Sequence, residues 1–205
     1  MIEAKKISKK YGEIMILDNF STSIANGDFV SIIGESGSGK TTLINLLGLL
    51  EDVSSGDIIV NSKINPNKRD SMLLRRYNFG YIFQNYALIE NDTVGNNLKV
   101  ALEYRKRIDK KYEISNALDY VSLGGFEDKK VYELSGGEQQ RVAIARVILK
   151  KSEYIFADEP TGNLDRKNRD LVFGLMKRLN DEGRAIIYVT HDLELANCAN
   201  RQIVL

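Results

Sequence analysis

Gly34, Gly37 and Gly39 stand ahead of Lys40 and Thr41 in a run that fits G-x-x-x-x-G-K-[ST]. The chemistry such a run suits is phosphate binding. A triphosphate gathers several negative charges at close range, so its site needs backbone N–H groups that converge on oxygen without obstruction by Cβ atoms. A helix opening at Lys40 would add its positive dipole end and unpaired N–H groups; the Lys40 ammonium can reach the terminal phosphates, and the Thr41 hydroxyl can ligate a divalent cation. In isolation the run is a Gly/Ser-rich turn. Between the apolar run Phe29 to Ile33 and the helix-like stretch that follows, it points to nucleotide binding.

Other residues share the right chemistry. Asp158 and Glu159 close the apolar run from Tyr154, placing two carboxylates where open α/β sheets bind ligands; read alone, Asp-Glu-Pro is a strand end and a turn. His191, the single histidine, follows the run Ala185 to Val189. Beside Asp192 it also reads as an ordinary helix-start residue. Gln84 follows the run Phe79 to Phe83 and by itself says little. In Leu134-Ser135-Gly136-Gly137-Glu138-Gln139-Gln140-Arg141, Ser135 and Glu138 form a capping box for a helix from Gly137 to Lys150. A capped helix start still offers N–H groups and a positive dipole to an anion, and its two glycines leave room for another molecule's phosphate.

The elements that must position these residues follow from pattern. Asn26-Gly27 marks a turn before the strand Phe29 to Ile33, and a helix is expected from about Lys40 to Leu50. Asp57 to Val60 and Phe79 to Phe83 read as strands, separated by a polar loop with Pro66 and a short helix, Met72 to Arg76. Helical patterns dominate from Thr93 to Lys150. Strands return at Tyr154 to Ala157 and Ala185 to Val189, around a helix whose apolar stripe is Leu171, Val172, Leu175, Met176 and Leu179. That order predicts a parallel α/β core interrupted by an α-helical block. There is no internal repeat, low-complexity tract or Pro-rich linker.

The 205 residues suit one well-buried α/β domain. With 29 Lys plus Arg against 28 Asp plus Glu, the net charge of +1 gives no broad attraction to nucleic acid or anionic lipid. Cys198 has no partner for an internal disulfide, which fits a reducing compartment. The start, from Met1 to Lys6, shows no apolar signal segment, and every apolar stretch falls short of the roughly 20 residues that a spanning helix needs.

With the phosphate loop, the LSGGEQQR segment, the Asp158-Glu159 pair, Gln84 and the late His191 in this order, nearly the whole chain resembles the nucleotide-binding subunit of an ATP-binding-cassette (ABC) transporter. The wording from Pro160 to Asp165 is similar to ATPases of macrolide export, lipoprotein release and bacteriocin export. The resemblance implies a P-loop NTPase (RecA-like) core with an N-terminal antiparallel β subdomain, residues 1–83 and 151–205, and an inserted helical subdomain at about 84–150. It implies ATP and Mg²⁺ as ligands. ATP would be held by Tyr11, stacked on adenine, by Gly34, Ser36, Gly37, Ser38, Gly39, Lys40, Thr41 and Thr42, and across a dimer by Ser135, Gly136, Gly137 and Asp165. Thr41, Gln84 and Asp158 would serve the metal, and Glu159, His191 and Gln84 the attacking water. It also implies membrane permease subunits as partners, a homodimer or heterodimer formed with ATP, no nucleic acid, and a peripheral place on the cytoplasmic face of the membrane. Three rivals stay open: a mechanical ABC ATPase that acts on a membrane partner without moving solute, a DNA-repair or ribosome-associated relative, and a small nucleotide kinase. The family usually continues beyond the final strand into a hairpin and helix, whereas this sequence stops at Leu205.

Overall fold

Two kinds of strand pattern produce two sheets in the computed structural model, which describes residues 1–205. The chain opens with a hairpin, β1 (Ile2–Tyr11) and β2 (Ile14–Ile24). Both bury residues mainly on one face, as antiparallel strands with one solvated side do. Next come β3 (Phe29–Ile33), α1 (Lys40–Leu47), β4 (Ser55–Val60), the short β5 (Lys63–Ile64), α2 (Lys68–Tyr77) and β6 (Phe79–Ile82). The helical stretch holds α3 (Val94–Lys99), α4 (Lys110–Tyr120) and α5 (Gly136–Lys150), with 3-10 turns at Val100–Leu102 and Val131–Glu133. The chain then forms β7 (Tyr154–Asp158), α6 (Arg166–Asp181), β8 (Ala185–Val189), α7 (Leu193–Ala196) and β9 (Arg201–Val204).

The antiparallel sheet runs β2-β1-β4-β5 and the second sheet β6-β7-β8-β3-β9, every neighbouring pair of the latter parallel. β3, β7 and β8 are apolar on both faces and need cover on both sides. One face, with Phe29, Ile155, Ala157, Ile186 and Tyr188, packs against α3 to α6. The other, with Val30, Ile32, Phe156, Ile187 and Val189, packs on α1 and the antiparallel sheet. This double burial holds the carboxyl ends of the strands on a rigid frame.

Several element ends differ from expectation. α1 stops at Leu47 rather than Leu50, because Gly48 sits tight against Tyr81, whose hydroxyl donates to the Gly48 carbonyl at 2.6 Å, and Leu49 then turns left-handed at φ 56°. The helix expected at Met72 to Arg76 spans Lys68–Tyr77 and starts at an Asn67 cap. On α6 the buried stripe is Val172, Phe173, Met176 and Leu179, while Leu171 is 46% exposed. Phe173 turns that face inward by packing against Phe29 and Tyr188, with ring centroids 5.7 Å from each. Between β6 and β7 the helices are interrupted only by turns and one isolated bridge, Thr93 to Lys130.

Candidate functional site

The loop from Gly34 to Gly39 leaves the carboxyl end of β3 and runs straight into α1. Gly39 is its pivot: φ is 94°, and a Cβ there would stand 2.9 Å from the Ile16 side chain. Gly39 gives α1 no side-chain cap, so the first N–H groups of the helix face the loop. Lys40 is 6% exposed, and its ammonium donates to the carbonyls of Gly34 at 3.0 Å and Glu35 at 2.6 Å. A buried cation is thereby centred over the loop.

β7 and β8 bring the remaining groups to the same edge. Asp158 is in register with Val189, so the carboxylates at the end of β7 lie beside the Thr190-His191 turn after β8. The Thr41 hydroxyl donates to Asp158 Oδ1 at 3.3 Å. Glu159 takes a left-handed φ of 45°, with its N–H donating to the Val189 carbonyl at 3.2 Å. This turns its side chain back over the strand ends. His191 Nε2 lies 3.0 Å from Glu159 Oε1, close enough for an ion pair yet off the hydrogen-bond direction, so Oε1 keeps no donor. Burial raises both carboxyl groups above their ordinary values. The Thr41 hydrogen bond and the charges of Lys40 and His191 oppose it at Asp158, and the His191 charge opposes it at Glu159.

Ser36, Gly37, Gly39, Lys40, Thr41, Thr42, Gln84, Asp158, Glu159 and His191 line one cavity of about 320 Å³, together with Ile16 and Val189. Size does not single it out, since a cavity of about 650 Å³ among Thr93, Lys99, Lys111 and Glu127 holds none of these groups. Its chemistry does. Thr41 Oγ1 and an Asp158 carboxylate kept from full solvation are hard oxygen donors, and Gln84 adds an amide oxygen. That set fits a magnesium ion that takes its other ligands from phosphate and water.

Other predicted residues stand apart. Gly34 and Ser38 are not among the lining residues, and the Ser38 hydroxyl is buried without a partner. Tyr11 is 47% exposed rather than packed in the core, at the edge of the hairpin, with its hydroxyl donating to Glu51. None of Ser135, Gly136 and Gly137 lines the cavity. Ser135 caps α5 instead: its N–H and hydroxyl each donate to Glu138 at 2.8 Å, and the Glu138 N–H donates back to Ser135 Oγ. Asp165 caps α6 by accepting from the Asn168 N–H at 2.8 Å, also away from the cavity.

Some contributors carried little or no sequence signal. Asn168 donates to Asp165 at 2.8 Å, accepts from Arg141 at 3.0 Å, and covers Gly137 so tightly that a Cβ there would approach it to 2.3 Å. Gln140 is fully buried and donates to the Pro160 carbonyl at 2.6 Å. Its polarity on the Gln140, Ala143, Ile144, Val147 stripe was the available clue. Arg146 donates to the carbonyls of Tyr86 and Ala87, fixing the left-handed turn after Gln84. Arg169 donates to Asp192 at 2.6 Å and tethers the loop that carries His191.

The sequence model of the ABC transporter family matches residues 17–162. Over 211 residues the chain is 40% identical to the macrolide export ATP-binding/permease protein MacB of Mannheimia succiniciproducens, covering 99% of this chain and 33% of that protein. For MacB of Neisseria meningitidis serogroup B the identity is 42% over 213 residues, with the same shares. The chain thus spans about a third of the length of the curated relatives it matches. Among solved structures it is similar to the ATP-binding cassette MJ0796, in a dimeric post-hydrolysis state bound to ADP and Pi, with TM-score 0.90, 34% identity and coverage of 100% of this chain and 94% of that one. It is also similar to cbiO1 from Clostridium perfringens, part of the ABC transporter complex cbiONQ, with TM-score 0.88, 26% identity and coverage of 99% and 83%. Fold, motif order and these likenesses agree, and the chain belongs to the ABC transporter family as an ATP-binding cassette.

Proposed function

We propose that this chain hydrolyses ATP to drive export or extraction of a substrate through membrane subunits, working as a head-to-tail dimer that closes over two nucleotides. One observation carries the reading: Lys40, Thr41, Gln84, Asp158, Glu159 and His191 line a single cavity, whereas none of Ser135 to Gly137 lines it. The phosphate site is nearly complete in one chain, and the missing face would come from the Ser135 segment of another. Similarity to macrolide export proteins supports an export role.

In this reading Lys40 and the N–H groups at the start of α1 bind the β- and γ-phosphates, with Ser36, Gly37, Ser38 and Gly39 shaping the loop and Thr42 extending it. Thr41, Asp158 and Gln84 hold Mg²⁺, which when bound neutralises charge on the phosphate oxygens. Glu159 accepts a proton from the attacking water, a role helped by a carboxyl raised through burial towards working pH. His191 holds Glu159 and the γ-phosphate in place. Ser135, Gly136 and Gly137 bind the γ-phosphate held by the partner, with Asp165 at the same junction. Closure assembles the site and hydrolysis releases it.

Residues 84–150 act as a helical subdomain facing the membrane partner. A groove of about 410 Å³ between α2, α5 and the loop after β6, lined by Met72, Arg76, Phe83, Tyr104, Arg146 and Lys150 among others, receives a cytoplasmic helix of that partner. No helix of the chain is long and apolar enough to cross a membrane, in keeping with a peripheral place on the cytoplasmic face. The test is light scattering on size-exclusion eluates of Glu159→Gln protein with and without ATP and Mg²⁺. A dimer that appears only with ATP is expected; a monomer with tightly bound ATP would remove the shared-site mechanism for the isolated chain.

A further inference from the structure

Outside the cavity, one carboxylate joins two elements that the nucleotide reading treats separately. Glu51 lies in the loop after α1. Its Oε1 accepts from the Asn45 side chain of α1 at 3.0 Å, and its Oε2 accepts from the Tyr11 hydroxyl and lies 3.3 Å from Lys9 Nζ. Lys9 also donates to the Asp52 carbonyl at 2.7 Å and stands 5.0 Å from the centroid of the Tyr11 ring. Tyr11, at the end of β1, is therefore held at its tip by a group anchored on the helix that opens at Lys40.

The Tyr11 ring needs such an anchor. It is 47% exposed, and a half-exposed aromatic side chain has rotamer freedom that must be lost before a flat ligand can stack on it. A hydrogen bond at the hydroxyl removes that freedom in advance. Stability is a weak reason for the arrangement, because partly exposed ion pairs such as Lys9 with Glu51 contribute little to folding. The titration behaviour agrees: burial pushes the Glu51 carboxyl up, but hydrogen bonds from Tyr11, Asn45 and Lys9 outweigh it and hold the group below its ordinary value. The Tyr11 hydroxyl is raised, first by its bond to Glu51, while the nearby Thr42 hydroxyl works in the opposite direction. Thr42 belongs to the cavity lining, so Tyr11 stands next to the phosphate loop.

We propose that Glu51 is a positioning residue for the nucleotide base, tying the Tyr11 ring to α1 so that a base stacked on the ring arrives in register with a triphosphate on Lys40 to Thr42. The proposal rests on Tyr11 as the stacking aromatic. It makes the hydroxyl of Tyr11, and not only its ring, part of the site.

The test is calorimetric titration of ATP and of inorganic tripolyphosphate, which lacks a base, into Glu159→Gln protein carrying further substitutions. Tyr11→Ala should weaken ATP binding by about 5- to 100-fold, the range that base–aromatic stacking supplies. Tyr11→Phe and Glu51→Ala should each weaken it by about three- to tenfold, the double variant should be no worse than either, and Glu51→Gln should stay within about twofold of the parent. Tripolyphosphate affinity should be unchanged throughout. Unchanged ATP binding in Tyr11→Ala would overturn the stacking reading itself. Weakening in Tyr11→Ala without any in Glu51→Ala would overturn the role of Glu51 alone. An equal loss of tripolyphosphate binding in Glu51→Ala would mean that Glu51 merely holds the loop after α1.

Discussion

α1 and α5 both begin at glycine-rich segments, but their first turns are finished in opposite ways. α1 begins at Gly39 without a side-chain cap, at the floor of a cavity that also holds Lys40, Asp158, Glu159 and His191. α5 begins with a complete capping box from Ser135 and Glu138, and Asn168 covers Gly137. An uncapped helix start relies on an outside anion for its N–H groups, whereas a capped one is stable without a ligand. In the proposed reading the first is the nucleotide site of one chain and the second the surface that meets a second chain.

Substitutions on the two helix starts should therefore fail differently. Lys40→Ala is expected to abolish ATP binding and hydrolysis together, while Gly137→Val, which drives a side chain into Asn168, should leave ATP binding by the monomer intact and cut hydrolysis by about 10²-fold or more. Mixing the two inactive proteins should restore hydrolysis, since one of the two sites in the mixed dimer would be intact. Steady-state ATPase assays of the mixture read this directly, and no recovery would mean that both segments act within one chain or that closure needs a nucleotide on each chain.

Asn168→Ala tests whether the two regions are coupled. It removes the side-chain ties of Asn168 to Asp165 and Arg141 and leaves the Asn168 N–H cap on Asp165, so the loop after Glu159 and the start of α5 should move more independently. A stability loss of about 1–2 kcal/mol in urea unfolding is expected. The larger consequence should be weaker ATP-driven dimerisation with unchanged ATP affinity of the monomer.

The smallest effect concerns the groove between α2 and α5. Lys150 is held down to about 8 by burial, with repulsion from Arg146 adding to it, and its ammonium donates to the Arg75 carbonyl. Between about 8 and the ordinary 10.5 the folded chain gives up this proton before the unfolded chain does, so the unfolded state binds more protons and stability rises with pH across that window. Lys150→Met should flatten the rise, read from urea midpoints at its two ends. A slope unchanged by the substitution would place the proton release elsewhere.

Much of the cavity and of the α5 start was legible because their chemistry is written in short local strings. Gly34 to Thr41, Asp158-Glu159 and the Ser135 to Glu138 box depend on neighbours within a few residues, and β3, β7 and β8 announce themselves as unbroken apolar runs. α6 shows the limit of such patterns. Leu171 and Phe173 are both apolar at plausible helical positions, and only the sheet aromatics Phe29 and Tyr188 decide which turns inward. Glu51, Arg146, Asn168 and Arg169 act across long sequence separations, through contacts that no local period encodes.

The sequence by itself determined which groups could handle phosphate and metal, and where the strands and helices that carry them lie, because those properties reside in local composition and spacing. Tertiary structure alone decided that Glu159 turns back towards His191, that the start of α5 stays out of the cavity lining, and that Tyr11 is anchored through Glu51. The physical reason is that side-chain direction and hydrogen-bond partners at these points depend on strand register and packing between elements far apart in the chain, which exist only once both faces of the parallel sheet are covered.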